Sequence, residues 1–263
     1  MDPRAVLCDL DGVIWLAHQP IPGSVEGVAR LRASGRRVVF VTNNSGARLG
    51  DQEAALAAIG IPADGDVLTS AMAAAALVHP GERVLVCGGP GITEALLAVG
   101  AVPVAGDDPA GVSVDVVMVG FHREFDYERM RIAATAARDG ARLIGTNDDV
   151  TYPTPDGPIP GGGAILAAVQ TAAGRLPVVA GKPYAPMAAA VEHLLGAVDP
   201  TELLMVGDRG STDGAFAVTL GCPFALVRSG VTLPGEPIDE PVAIDVADMG
   251  AVVDAILARD LPR

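Results

Sequence analysis

The sequence predicts an α/β fold built on a doubly wound, mostly parallel sheet, and two patterns indicate it. Short β-branched and aliphatic runs without polar alternation recur along the chain, as expected for strands buried on both faces. Helical patterns separate these runs, and such alternation is typical of a sheet covered by helices on both sides. With 263 residues, the chain is long enough for one large domain or for a domain with an insert.

The apolar runs mark where strands are expected. In chain order they are Ala5–Cys8, Val38–Val41, Val84–Cys87, Val114–Val119, Arg142–Ile144, Val178–Ala180, Leu203–Val206 and Phe224–Val227. Between them, apolar residues recur every three or four positions, which places them on one face of a helix. Helices are accordingly predicted at Ser24–Ser34, Asp126–Asp139, Ala164–Ala173, Pro186–Leu195 and Asp213–Leu220.

The segment 82–176 is predicted to be an inserted α/β cap domain. It has strand and helix patterns of its own but few polar residues at its strand ends. Gly- and Pro-rich stretches, where chains often cross between domains, flank it at 79–81 and 174–177. The core domain is therefore predicted to comprise residues 1–81 and 177–263.

Charge and composition exclude several classes of partner. The 18 Lys and Arg residues face 32 Asp and Glu, and the net charge of −14 repels nucleic acid and anionic lipid. The longest apolar run, Ala71–Val78, is far shorter than the ~20 residues of a membrane span, and Ala5–Cys8 is too short for a secretory signal. Three widely spaced cysteines form no disulfide framework. We expect a cytoplasmic protein without nucleic-acid or membrane partners; a homo-oligomer is left open.

Polar side chains follow four of the predicted strands. Because the carboxyl ends of parallel strands share one edge of a sheet, where ligands bind, we expect all of these side chains on one rim. Strand by strand they are Asp9 and Asp11, then Thr42, Asn43 and Asn44, then Lys182, then Asp208 and Asp213.

This set of groups fits a metal-assisted phosphoryl site. Several carboxylates favour a hard cation such as Mg²⁺, whereas zinc would require a His or Cys spacing that the sequence lacks. Lys182, with Thr42 and Asn43, has the charge and the donors to hold the transferring oxygens. An anionic carboxylate attacks a phosphate dianion only if cations offset the repulsion.

Four motifs carry a family resemblance. They are D-L-D-G-V at 9–13, T-N-N-S at 42–45, G-K-P at 181–183 and G-D-R-G-S-T-D at 207–213. With them, the chain resembles the haloacid dehalogenase-like phosphatases over nearly its whole length. The similarity is to the branch containing NagD, 4-nitrophenylphosphatases, phosphoglycolate phosphatase and pyridoxal phosphatase. The tripeptides 21–23 and 146–148 also resemble that branch. The resemblance implies a Rossmann-like core with an α/β cap.

The resemblance also implies a role for each site residue. Asp9 would be the nucleophile that becomes an aspartyl-phosphate, and Asp11 would be the general acid and later the base. The phosphoryl group would be held by Thr42, Asn43, Asn44 and Lys182.

The same resemblance implies a Mg²⁺ site. The cation would be bound by Asp9, by the backbone carbonyl of Asp11 and by Asp208, with Asp213 behind them. Two positions depart from the family pattern: Ser211 stands where an acidic residue is common, and His122 stands where the cap often has Asp.

The expected activity is hydrolysis of small phosphorylated metabolites. Candidate substrates are glycerol phosphate, phosphoglycolate, sugar phosphates, nucleoside monophosphates, pyridoxal phosphate and 4-nitrophenyl phosphate. Two alternatives remain open at this point: a phosphotransferase or phosphomutase that uses the same aspartyl-phosphate, and a non-catalytic receiver-like binding module.

An acidic stretch in the predicted cap bears on specificity. If Asp148 and Asp149 overhang the site, they are expected to disfavour substrates with a second anionic group. The alternative is that both carboxylates face solvent as turn and cap residues.

Overall fold

Two parallel sheets organise the chain, and the computed structural model describes residues 2–108, 113–154 and 156–258. In chain order the strands are β1 (Ala5–Cys8), β2 (Trp15–Leu16), β3 (Gln19–Pro20), β4 (Arg37–Thr42), β5 (Val67–Thr69), β6 (Arg83–Cys87), β7 (Val102–Ala105), β8 (Val116–Val119), β9 (Arg142–Gly145), β10 (Thr151–Tyr152), β11 (Ile159–Pro160), β12 (Val178–Val179), β13 (Leu203–Gly207), β14 (Phe224–Val227) and β15 (Ile244–Val246).

Nine α-helices connect these strands in the described part of the chain. They are α1 (Ser24–Ala33), α2 (Leu49–Ala58), α3 (Ser70–Ala75), α4 (Pro90–Ala98), α5 (Tyr127–Arg138), α6 (Gly162–Ala173), α7 (Ala185–Leu195), α8 (Ala215–Leu220) and α9 (Met249–Leu257). None of these helices is long and apolar enough to cross a lipid bilayer.

The larger sheet, which we call the core sheet, has six strands in the order β15-β14-β13-β1-β4-β5. All five pairings are parallel. The central strand β1 is completely buried, as its apolar run predicts. Its neighbours β13 and β4 precede two of the other motifs, so three of the four motif-bearing strand ends share one edge.

The second sheet, which we call the cap sheet, has five parallel strands in the order β12-β9-β8-β6-β7. The strand before Lys182 belongs here, because Val178 and Val179 pair with Ile144 and Gly145 of β9. The expectation that all four motif strands end on the rim of one sheet is therefore wrong. Two apolar β-branched residues carry no signal that tells which of two parallel sheets they join.

Three apolar layers hold the sheets and helices together. Along β1, Val6 and Cys8 face one side with α1, α2 and α9, while Leu7 faces the other with α3, α7 and α8. The layer around Leu7 continues into the cap sheet and includes Val84 and Met118. Helices α5 and α6 cover the opposite face of the cap sheet. Core and cap sheets thus share a continuous hydrophobic layer.

The α/β fold class is confirmed, and the element boundaries shift in places. The predicted strand Val114–Val119 begins only at Val116, and the predicted helix Asp213–Leu220 begins only at Ala215. A five-residue π-helical turn at 210–214 precedes that helix. In this turn Asp213 packs closely against the end of β13, where a Cβ on Gly207 would lie 2.2 Å from the Asp213 side chain. Helix α2 and strand β15 were not predicted: α2 has only two leucines among alanines and polar residues, and β15 has only three residues.

Candidate active site

A cavity of about 70 Å³ lies at the carboxyl end of the core sheet. Asp9 directly follows β1, Thr42 ends β4, and Asp208 directly follows β13. The structure brings all the sequence-predicted site residues to the wall of this cavity: Asp9, Asp11, Thr42, Asn43, Asn44, Lys182, Asp208 and Asp213.

The ammonium group of Lys182 lies between two carboxylates. Its Nζ is 2.9 Å from Oδ1 of Asp9 and 2.7 Å from Oδ1 of Asp213, and its side chain is only 1% exposed. Burial lowers the pKa of Lys182, but the charges of Asp213 and Asp9 more than offset it and hold the pKa above its ordinary value. Lys182 is therefore a buried, permanent cation.

Three carboxylates meet beside that ammonium group. Oxygens of Asp9, Asp208 and Asp213 lie within 4.8 Å of one another. Burial raises the pKa of Asp9 well above its usual range and that of Asp208 to about 7, and the neighbouring Asp213 adds to both shifts. One ammonium leaves the cluster with excess negative charge. An all-oxygen donor set with uncompensated charge fits a hard divalent cation.

Glycines let the backbone approach Asp208 closely. A Cβ on Gly230 would lie 1.9 Å from Oδ2 of Asp208, and a Cβ on Gly12 would lie 2.2 Å from the same atom. Gly12 also has φ +87°, a conformation that favours glycine. The amide of Val231 donates to Oδ2 of Asp208. The sequence D-L-D-G therefore needs its glycine for space as well as for the turn.

Asn43 does not offer its side chain to the cavity. Its Nδ2 donates to Oδ2 of Asp149 (2.9 Å) and to the carbonyl of Lys182 (3.0 Å), and its Oδ1 accepts from the amide of Lys182 (2.8 Å). The neighbouring hydroxyl of Thr42 accepts from the amide of Asn44 (3.0 Å) and can still donate its proton. Of the groups of Asn43, only the backbone amide is therefore a candidate for the expected phosphate contact.

Asp11 lies in the turn that leads from β1 to the small β2–β3 hairpin. The amide of Gly12 donates to the carbonyl of Trp15 (2.8 Å) across this turn. Burial raises the pKa of Asp11, while His18 and Trp15 act in the opposite direction. Its carboxylate is not part of the three-carboxylate cluster that the described residues form.

Comparison with known proteins identifies the family. A family profile described as haloacid dehalogenase-like hydrolase matches residues 6–102, and a second, described as HAD-hydrolase-like, matches residues 179–249. The D-glycerol 3-phosphate phosphatase of Mycobacterium tuberculosis is 37% identical over 251 residues, which cover 91% of this chain and 68% of the relative. The chain belongs to the haloacid dehalogenase-like hydrolases.

Two solved structures place this hydrolase among the phosphatases of the family. The p-nitrophenyl phosphatase from Archaeoglobus fulgidus superposes with a TM-score of 0.87 at 30% identity, over 97% of this chain and all of the other. The glycerol phosphate phosphatase from Mycobacterium tuberculosis, solved in complex with calcium, has a TM-score of 0.83 at 33% identity, over 95% of this chain and 74% of the other. The resemblance to the NagD and 4-nitrophenylphosphatase branch is confirmed, and the protein is a phosphatase.

Two aromatic residues border the active site of this phosphatase. The rings of Phe121 and Tyr152 stack with centroids 5.2 Å apart, and both line the catalytic cavity and an adjoining cleft of about 450 Å³. His122 and Arg123 line the cleft only. Sequence reasoning missed Phe121 and Tyr152, because a single aromatic residue after a strand or in a two-residue strand has no distinctive spacing.

Further site residues come from the last motif and the cap. Arg209 and Thr212 line the cavity, and their positions within G-D-R-G-S-T-D were the available signal. Ser211, which stands where an acidic residue is common, is exposed. Asp148 is exposed and accepts from the Tyr184 hydroxyl, while Asp149 lines the cavity. Discrimination against doubly anionic substrates stays a prediction, and the hydrogen-bonded carboxylate of Asp149 argues against it.

Removing the ammonium of Lys182 is expected to destabilise the fold. In Lys182→Met, two buried carboxylates lose their shared cation, so the free energy of unfolding in EDTA at about pH 8 falls by about 3–5 kcal/mol. Carboxyl groups whose pKa is raised in the folded state destabilise it above that pKa and cease to do so once protonated. In urea denaturation, the free energy of unfolding that Lys182→Met loses should therefore be smaller at about pH 5.5 than at about pH 8. Equal stability of variant and wild type at both pH values would refute the pairing.

Proposed function

We propose that this phosphatase hydrolyses small phosphomonoesters with Mg²⁺ through an aspartyl-phosphate on Asp9. The observation that carries the proposal is the position of the Asp9 carboxylate. It lies at the wall of a small cavity, paired with the buried Lys182 ammonium at 2.9 Å. A second carboxyl group, Asp11, lines the same cavity two residues further along.

The reaction would run in two displacement steps. In the first, a carboxylate oxygen of Asp9 forms a bond to phosphorus while the ester oxygen leaves and takes a proton from Asp11. In the second, water attacks phosphorus, its proton passes to Asp11, and the acyl-phosphate bond breaks to release inorganic phosphate and restore Asp9. Asp11 thus returns to its starting protonation state in each cycle.

Positive charge and N–H or O–H donors would hold the phosphoryl oxygens. Lys182 supplies the charge, and the Thr42 hydroxyl and the backbone amide of Asn43 stand at the same strand end. The amide of Asn44 donates to the Thr42 hydroxyl oxygen at 3.0 Å, so Asn44 would act through Thr42. These groups are fixed before substrate arrives, so little reorganisation accompanies the development of charge in the transition state.

Asp9, the carbonyl of Asp11 and Asp208 would hold Mg²⁺. The cation supplies charge neutralisation between nucleophile and phosphate when it is bound. Asp213 has another task, because its two oxygens accept from Lys182 Nζ (2.7 Å) and from the amide of Arg209 (3.1 Å). Asp213 would therefore affect metal binding indirectly, by holding Lys182 and by its negative charge close to Asp208.

Cavity size supports small substrates. A volume of about 70 Å³ is far below the ~300–1,000 Å³ of typical ligand pockets, so it suits little more than a phosphoryl group. The leaving group would extend along the stacked rings of Phe121 and Tyr152 into the adjoining cleft. Glycerol phosphate and 4-nitrophenyl phosphate, which match the names of two relatives, are the first substrates to test. All three cysteines are free, which fits the reducing cytoplasm that we propose as its location.

Wild-type protein with Mg²⁺ is expected to release inorganic phosphate from both substrates, and Asp9→Asn to release none above background. The amide keeps the shape of the side chain but is not nucleophilic. Initial rates with and without EDTA provide the measurement, and circular dichroism checks that the variant is folded. Transfer of the phosphoryl group to an added alcohol in preference to water would identify a phosphotransferase instead. Substantial turnover by folded Asp9→Asn would eliminate the covalent mechanism.

Asp11→Asn should separate good from poor leaving groups. Without a proton donor, hydrolysis of glycerol phosphate should fall by about 10²–10⁴-fold, whereas cleavage to 4-nitrophenolate, which leaves without a proton, should fall much less in its first step. Pre-steady-state bursts of 4-nitrophenol report that first step. If the burst rate with 4-nitrophenyl phosphate falls by the same factor as the hydrolysis of glycerol phosphate, Asp11 is not the general acid.

Metal binding itself is expected to depend on Asp208. In isothermal titration calorimetry of the metal-free protein, Asp208→Asn should weaken Mg²⁺ binding at least about tenfold, because a charged oxygen ligand becomes a neutral amide. Asp245→Asn is the matched control, since Asp245 lies on the edge strand β15 and pairs with Arg228 at 2.7 Å. Unchanged affinity in Asp208→Asn, or an equal loss in the control, would rule out this ligand set.

A further inference from the structure

A loop of the predicted cap contacts the core through one carboxylate. Asp149 follows β9 of the cap sheet, and its Oδ2 accepts from Nδ2 of Asn43 at 2.9 Å. Its Oδ1 accepts from the hydroxyl of Thr212 at 3.3 Å and lies 3.9 Å from a guanidinium nitrogen of Arg209. Both oxygens of Asp149 are thus engaged by residues that follow core strands β4 and β13.

The partner of Asp149 in turn clamps the backbone of Lys182. Oδ1 of Asn43 accepts from the amide of Lys182 at 2.8 Å, and Nδ2 donates to its carbonyl at 3.0 Å. From that backbone position the Lys182 side chain reaches Asp9 and Asp213. A continuous series of hydrogen bonds therefore joins the cap loop to the proposed nucleophile.

The chemistry of the two side chains makes this series directional. A carboxylate only accepts, so Asp149 requires the NH₂ group of Asn43 to point toward it. The amide oxygen of Asn43 must then face the N–H of Lys182. With the amide rotated by half a turn, oxygen would face the carboxylate and the Lys182 carbonyl, and NH₂ would face an N–H group.

We propose that Asp149 is a positioning residue for the reaction: it fixes the amide of Asn43, and Asn43 fixes Lys182 between Asp9 and Asp213. The inference rests on the proposed function, in which Lys182 neutralises the phosphoryl group. Both oxygens of Asp149 accept hydrogen bonds from core residues, so we assign it a role in orienting Asn43 and not in binding substrate. Contact of the Asp149 loop with the core and placement of the Lys182 ammonium are therefore coupled.

The neighbouring residue provides a matched control. Asp148 lies on the same loop and is also acidic, but it is exposed and accepts from the Tyr184 hydroxyl instead of contacting Asn43. A conservative variant exists as well. In Asp149→Asn, the amide oxygen can accept from Asn43 and the NH₂ group can donate to the Thr212 hydroxyl, so the orientation of Asn43 is retained.

Steady-state kinetics with 4-nitrophenyl phosphate tests the catalytic consequence. Asp149→Ala should lower kcat by about 10- to 100-fold with little change in KM, because small misplacement of a catalytic group is costly. Asp149→Asn should recover most of the loss, and Asp148→Ala should resemble the wild type. Adding Asp149→Ala to Asn43→Ala should lower kcat no further. A change in KM alone, equal losses in the Asn and Ala variants, or multiplying losses in the double variant would each overturn the proposal.

A measurement independent of activity tests the clamp directly. Lys182 is the only lysine in the sequence, so selective ¹⁵N-lysine labelling gives one backbone amide signal, that of Lys182. Its exchange with D₂O should be at least about tenfold faster in Asp149→Ala than in the wild type or Asp148→Ala, because opening of the clamp exposes this N–H. Unchanged exchange refutes the proposal. Absence of Mg²⁺-dependent activity in the wild type would refute the proposed function instead, and the exchange rates would still decide the clamp.

Discussion

The pairing of one buried ammonium with two carboxylates is the interaction on which this active site depends. Oxygens of Asp9, Asp208 and Asp213 lie within 4.8 Å of one another, because strands β1 and β13 end side by side and the turn at 210–214 packs against β13. Buried carboxylates at that spacing repel unless a cation lies among them. Lys182 supplies that cation within the chain, and space for its backbone is tight, since a Cβ on Gly181 would lie 2.5 Å from Oδ1 of Asn43.

The two sheets divide the work of the site. The core sheet presents the acidic side chains at adjacent strand ends, where we propose that the chemistry takes place. The strand before Lys182 belongs to the cap sheet, and Phe121 and Asp149 follow cap-sheet strands β8 and β9. Tyr152, the other half of the aromatic wall, lies on the separate β10–β11 hairpin. Neither sheet alone forms the cavity. The apolar layer that the two sheets share holds them against each other. The carboxylates of the site are therefore set by the core sheet, whereas Lys182 and the access for the leaving group depend on the other parts of the chain.

Sequence patterns predicted the strand ends well and the contacts between elements poorly. Asp9, Thr42 and Asp208 could be placed because apolar runs reveal where buried strands stop, and parallel strands share an edge. The cap-sheet origin of Lys182 could not be read from two valines, since strand order is a long-range property. The hydrogen bond from the Asn43 side chain to Asp149 could not be predicted either, because Asp149 lies 106 positions away in the sequence. The NH₂ group of Asn43 can donate to a phosphate or to a carboxylate, and only the three-dimensional structure shows which of the two it contacts.

The burial of Lys182 has a consequence for how the protein responds to chemical modification. All seventeen other basic side chains counted with it are arginines, so no second ε-amino group exists in the sequence. The single ε-amine is 1% exposed and held protonated by Asp9 and Asp213, and a protonated amine has no lone pair for attack on an electrophile. Acylating esters and aldehydes, which label most proteins through surface lysines, therefore find no reactive side-chain amine on the folded molecule. Cross-linking or immobilisation of this phosphatase can address its carboxylates instead, because Asp and Glu outnumber the basic residues by 32 to 18.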